Sequence, residues 1–169
     1  KLMPRVRGMP VIKYYNTRRH MDDHPFAGHF MAPAPVRTIQ VGDFRFLRAG
    51  VDIIILQTPL STLGWAFGTG KPIFYIEQPE LRLLPHVRQA MSESVFLFST
   101  EDEAWDEALL DGINLPDEEL ADAWNKKGGA RERFLEKFVF GPPGAAFRSA
   151  RIIESRVFRS GQNGTNTRS

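Results

Sequence analysis

Cysteine is absent from the 169-residue chain. That removes disulfide frameworks, thiolate metal sites and cysteine nucleophiles, and it fits a cytoplasmic setting. No apolar run approaches the roughly 20 residues of a membrane-spanning helix, so membrane association is expected to be at most peripheral, at the inner face. A surplus of one charge sign is missing too. With 22 Lys and Arg against 20 Asp and Glu, the formal net charge of +2 makes no case for a nucleic-acid partner. There is no signal-peptide pattern and no internal repeat, and the chain opens on Lys1, which suggests a piece cut from a longer protein.

Hydrophobic residues, by contrast, make up 42% of the chain, enough to build a core. One domain is expected over residues 1–158, followed by a disordered tail over 159–169, where Ser160 to Ser169 are all polar or glycine. Three strongly apolar segments follow one another: Val51 to Leu56, Pro72 to Ile76 and Val95 to Phe98. None alternates with period two, the pattern of strands buried on both faces in an all-parallel sheet. Ser61 to Gly70 and Leu81 to Ser92 are each long enough for a crossover helix. The fold class expected is therefore α/β, a Rossmann-like parallel sheet flanked by helices. Val11 to Tyr15 and Val36 to Val41 predict earlier strands, and Asp43 to Ala49 a short helix with Phe46, Leu47 and Ala49 near one face. Three helices are predicted at Glu101 to Leu110, Pro116 to Lys127 and Ala130 to Phe140, the first two opening on acidic residues that suit the helix dipole. A last helix is expected over Ala145 to Val157, beyond the break Gly141-Pro142-Pro143-Gly144.

The turn Gln57-Thr58-Pro59-Leu60-Ser61-Thr62-Leu63-Gly64 stands where a buried strand hands over to a helix. Free backbone N–H groups and the positive helix end converge there on the carboxyl edge of the sheet, where open α/β folds bind ligands. Thr58, Ser61 and Thr62 add hydroxyl donors without bulk, a set that suits a phosphate or diphosphate; the plainer alternative is that Ser61 or Thr62 only caps the helix. Glu77 and Gln78 close the following strand and are expected on the same edge, the carboxylate either accepting from a sugar or ribose hydroxyl or standing in water. His86, near the start of the next helix, either reaches that cleft or caps its helix.

Other segments carry weaker chemistry. Gly68-Thr69-Gly70-Lys71 lacks the spacing of a phosphate loop and follows a helix rather than preceding one, so a helix C-cap is predicted. His20-Met21-Asp22-Asp23-His24 and His29 hold enough nitrogen and oxygen for a divalent metal. Pro25 limits the helix that would pair the histidines and H-E-x-x-H is absent, so a solvated loop is preferred and no metal or cofactor is expected. Trp65 and Phe67 are expected to pack their helix on the sheet, and Trp105 and Trp124 to be core.

Taken together, Val51 to Ile73, a strand ending in a polar Ser/Thr turn, a helix, then Gly70-Lys71-Pro72 and another strand, resembles the C-terminal half of GT-B-fold glycosyltransferases. Surface-polysaccharide transferases and CDP-glycerol glycerophosphotransferase relatives have this shape. A looser similarity runs from Lys1 to about Glu154 through Phe138-Val139-Phe140-Gly141. The resemblance implies a nucleotide-activated sugar or glycerol donor and a hydroxyl acceptor, glycan or lipid-linked. Thr58, Ser61 and Thr62 would lie on the donor diphosphate, and Glu77, Gln78 and His86 would border the donor sugar or ribose. It also implies an acceptor-binding N-terminal domain of the same chain upstream of Lys1, without which this piece would bind donor but not turn it over. Lys1-Leu2-Met3-Pro4 resembles a Lys-x-His-Pro element of the glycerophosphate branch, with Met3 where the histidine would be, so no catalytic base is assigned. Two alternatives remain: a nucleotide-sugar epimerase of the UDP-N-acetylglucosamine 2-epimerase type, whose turn usually carries an acid that Leu60-Ser61-Thr62-Leu63 lacks, and a non-catalytic flavodoxin-like binding domain.

Overall fold

The computed structural model describes residues 5–13, 38–40, 44–58, 61–140, 144 and 150–151. The histidine-rich segment, Lys1 to Pro4, most of the last predicted helix and the polar tail lie outside the described residues. The chain forms two compact units, Lys1–Arg131 and Glu132–Ser169.

The first unit is built on β-α-β-α-β. Strand β3 (Ile54–Leu56) leads into helix α2 (Ser61–Phe67), β4 (Ile73–Glu77) into a 3-10 turn (Pro79–Leu81) and α3 (Pro85–Ser94), and β5 (Phe96–Ser99) follows. All neighbours are parallel in the order β3-β4-β5, with Ile54 beside Ile73, Phe74 beside Phe96 and Glu77 beside Ser99. Earlier in the chain, β1 (Val11–Lys13) and β2 (Thr38–Gln40) pair in parallel, and α1 (Phe44–Leu47) runs into a 3-10 turn (Arg48–Gly50). Beyond β5 come α4 (Trp105–Ile113), α5 (Asp117–Lys126) and α6 (Gly128–Phe134). The fold is thus α/β, a small three-stranded parallel sheet flanked by helices and compatible with a Rossmann-like arrangement.

Strand β4 is buried on both faces over all five residues, as its unbroken apolar run predicts. On one face Phe74 and Ile76 form a cluster with Leu109 and Leu120, against which Phe96, Phe98, Trp105, Ile113 and Leu115 pack. The Phe74 ring stacks on Phe96 at 4.7 Å and on Phe98 at 6.1 Å between centroids. Ile73, Tyr75 and Glu77 point to the opposite face, as side-chain alternation demands. Trp124 is core as expected, its indole N–H donating to the Gly70 carbonyl at 2.7 Å while the Arg131 guanidinium lies 3.8 Å from its ring centroid.

Three sequence expectations need correction. β3 is not covered on both faces: Ile54 and Leu56 are buried but Ile55 is 47% exposed, because β4 is its only ladder partner among the described residues and the Phe74 cluster does not extend over it. Trp65 does not pack α2 on the sheet. The inward stripe of that helix is Leu63, Ala66 and Phe67 at helical spacing; Trp65, off that stripe, is 45% exposed with the guanidinium groups of Arg48 and Arg45 at 5.0 and 5.7 Å from its ring centroid. Phe46, Leu47 and Ala49 form no buried face: Phe46 is 79% exposed and no residue of the single-turn helix is buried.

In the second unit the helical course continues as a π-helical segment, Leu135–Phe140, whose Phe138 ring sits 5.0 Å from that of Phe134 at the end of α6. Among the described residues no helix is long and apolar enough to cross a membrane.

Two core positions give measurable consequences. A Cβ on Gly112 would meet Phe74 Cε1 at 2.9 Å, too close for a ring held by stacking on Phe96 and Phe98. Gly112→Ala is expected to lower stability by about 1–3 kcal/mol in urea denaturation, whereas Gly50→Ala, with open space around the new methyl group, is expected to stay near wild type. Tyr75 is fully buried with its hydroxyl unpartnered among the described residues, and burial, then the Glu77 charge, raises its pKa above the ordinary 10.0. The unfolded chain therefore ionises first, so the Tyr75 contribution is fully kept below about pH 10 and lost as pH rises through the higher folded value. Tyr75→Phe removes an unsatisfied buried group and is expected to leave stability at pH 7 unchanged or up to about 1 kcal/mol higher, with a shallower alkaline decline in thermal melts.

Candidate functional site

Because β3, β4 and β5 are parallel, their carboxyl ends lie along one edge; Thr58, Ser61 and Thr62 follow β3, Glu77 ends β4, and Gln78 and His86 follow it. Leu56 pairs with Tyr75, so Thr58, two residues further on, leaves the sheet beside the end of β4 at Glu77. Helix α2 begins at Ser61, at the same carboxyl edge of the sheet as Glu77 and Gln78. Thr58 and Thr62 are partly exposed; the Ser61 side chain lies outside the described atoms.

Glu77 is neither solvated nor open to a ligand hydroxyl as its principal partner. It is 4% exposed, and both of its oxygens are engaged within the fold. Oε1 accepts from the Leu83 backbone N–H at 3.0 Å and Oε2 from Arg88 Nε at 2.6 Å. The cause is positional. Side-chain alternation along a doubly buried strand turns residue 77 inward, and the connection Gln78 to Leu84 folds back over it through the 3-10 turn, bringing its own N–H and the second turn of α3 within reach. No side chain caps α3, and a buried carboxylate bonded to the amide of Leu83, just ahead of the Leu84 N-cap, suits the positive end of that helix. The Glu77 carbonyl in turn accepts from the Thr100 N–H at 3.1 Å, tying the ends of β4 and β5.

Arg88 is the residue that sequence reasoning missed. Its side chain is 45% exposed, and the Glu77 hydrogen bond, followed by the charges of Glu77, Asp102 and Glu101 and opposed by partial burial, keeps its pKa above the ordinary arginine value. The available signal was a basic residue in the second turn of the helix that follows an acid-ended strand. Close by, Arg82 is ion-paired with Glu101, both about half exposed. Gln78 is partly exposed and starts the 3-10 turn, its carbonyl accepting from the Leu81 N–H at 3.0 Å. His86 is exposed in the first turn of α3.

The rejected phosphate-loop segment is a helix C-cap. Thr69 and Gly70 donate from their backbone N–H groups to the carbonyls of Ala66 and Phe67 at 3.0 and 3.4 Å, and Gly70 takes the left-handed conformation at φ 71°. Lys71 is committed to structure: Nζ donates to the Ala49 carbonyl at 2.9 Å and also to that of Val51. Among the described residues no three His, Asp or Glu side chains gather as a metal site.

A polar edge of this kind, with hydroxyls at the β3–α2 turn and a fixed guanidinium at the β4–α3 connection, can hold an anionic, hydroxyl-bearing ligand. Family models, curated proteins and solved structures were compared with the chain, and none matches.

Removing the Glu77 carboxylate would leave the Leu83 amide without its acceptor and Arg88 without its counter-charge. Glu77→Ala is expected to cost about 1–3 kcal/mol in urea denaturation, discounted from the figure for a fully buried pair because Arg88 is half in water. Arg82→Ala, which breaks an exposed pair, is expected to change stability by less than about 1 kcal/mol.

Proposed function

We propose that this chain is the donor-binding half of a GT-B-type transferase of cell-surface polysaccharide assembly. Its ligand is a nucleotide-activated sugar or glycerol, and the group is passed to a hydroxyl acceptor. The single observation in support is the convergence of Thr58, the start of α2 at Ser61, and Glu77 and Gln78 on the carboxyl edge of one parallel sheet. Had β3 run antiparallel to β4, the hydroxyl turn and the carboxylate would stand at opposite ends and the donor-site reading would fail.

In this reading the diphosphate lies at the β3–α2 turn, where Thr58, Ser61 and Thr62 with nearby backbone N–H groups stabilise the negative charge that develops on the leaving diphosphate. Glu77 does not serve as the ribose acceptor; its oxygens are held by Leu83 and Arg88, so the sugar side of the site falls to Gln78 and His86. The described strands form two parallel sheets, β1-β2 and β3-β4-β5, and parallel strands are equally the material of a flavodoxin-like binding domain, so the edge chemistry rather than the strand order favours the transferase reading.

Calorimetric titration of the 169-residue chain with UDP, CDP and GDP and their sugar or glycerol conjugates tests this. One nucleotide series is expected to bind, with Ser61→Ala and Thr62→Ala together weakening it about tenfold or more at unchanged melting temperature. Absence of heat with all three series, confirmed by no nucleotide-dependent rise in melting temperature, overturns the reading.

A further inference from the structure

A buried carboxylate at the end of a central strand is costly, and this one is spent on an arginine that is itself half in water. Arg88 occupies the second turn of α3, and helical side chains lean toward the helix N-terminus, which for α3 is the carboxyl edge of the sheet. Glu77 takes its Nε alone. Nη1 and Nη2, with four N–H donors in a fixed plane, make no hydrogen bond among the described residues. The guanidinium is therefore held by its inner nitrogen, with its outer fork unspent at the ligand edge.

We propose that Arg88 binds a phosphoryl group of the ligand through its Nη donors and that Glu77 is its positioning residue, fixing the guanidinium plane before the ligand arrives. The identity of that ligand as a nucleoside diphosphate rests on the donor reading above; the anion-binding role of Arg88 does not. Planar, two-pronged donation to phosphate oxygens is the recognition that arginine supplies and lysine does not. Pre-fixing such a long side chain removes the rotamer entropy otherwise lost on binding. The charges facing Arg88 besides Glu77 are Asp102 and Glu101, the latter paired with Arg82. They weaken the long-range attraction for anions, so Arg88 acts by the geometry of its fork more than by the field around it.

The experiment measures binding of inorganic pyrophosphate and of UDP, CDP and GDP to the 169-residue wild type and to Arg88→Ala, Arg88→Lys and Glu77→Gln, with melting temperatures alongside. Arg88→Ala leaves the buried Glu77 carboxylate without its counter-charge and is expected to lower the melting temperature; measured where it is still fully folded, it is expected to weaken pyrophosphate and the preferred nucleotide roughly tenfold or more. Arg88→Lys is expected to recover only a minor part of that loss. Glu77→Gln is expected to raise the dissociation constant severalfold at temperatures where it is fully folded. Binding of pyrophosphate but no nucleotide, lost in Arg88→Ala, keeps the arginine site and overturns the donor reading. Nucleotide binding that Arg88→Ala and Arg88→Lys leave within twofold of wild type overturns the arginine site and keeps the donor reading. A full effect of Arg88→Ala with none in folded Glu77→Gln overturns the positioning role. No binding of pyrophosphate or nucleotide to the wild type overturns both.

Discussion

Strand β4 imposes the constraint on which the first unit is built. Five consecutive side chains have no exposure to spare, and alternation sends Phe74 and Ile76 toward the helices that follow β5 and Ile73, Tyr75 and Glu77 toward the other face. The first pair gathers an aromatic cluster tight enough to require glycine at position 112 on the facing helix. The second set ends in a carboxylate with nowhere to go but inward. The chain meets the cost of burying that charge with an amide from the connection and a guanidinium from the next helix, and in doing so closes the β4–α3 corner.

The two sides of the candidate edge therefore work differently. At the β3–α2 turn the polar groups are short hydroxyls. At the β4–α3 corner the helix end already has a carboxylate of the chain bonded just ahead of it, so under the proposed anion site it is Arg88 rather than the helix terminus that would receive the ligand. Arg82 and Glu101 neutralise each other beside it.

Elsewhere the chain uses its basic residues as ties. Lys71 joins the loop ahead of β4 to the carbonyls of Ala49 and Val51, and Arg48 donates to the Trp65 carbonyl at 3.0 Å while lying against its indole. Arg5 pairs with Glu107, and the Asn114 amide both accepts from the Arg7 N–H at 2.8 Å and donates to the Arg5 carbonyl at 3.0 Å, which fastens the segment before β1 to α4. These contacts span up to 109 positions in sequence and have no local pattern to announce them.

The α/β class, the three parallel strands and the crossover helices are legible in the order of residues, because burial on both faces of a sheet leaves an unbroken apolar run and a crossover needs a minimum length. So is the cap at Gly68 to Lys71, whose glycine and short polar residues answer a local backbone demand. Which residues of the edge point outward was decided only by the tertiary structure. Ile55 and Trp65 look like core by type and are exposed because, among the described residues, the Phe74 cluster stops short of Ile55 and because the inward stripe of α2 passes beside position 65. Glu77 looks like a solvated strand end and is buried, and Arg88 passes for an ordinary surface residue until that carboxylate fixes it. Charge and hydropathy are properties of single residues, whereas the partner that turns a glutamate inward and leaves an arginine fork outward comes from elsewhere in the chain.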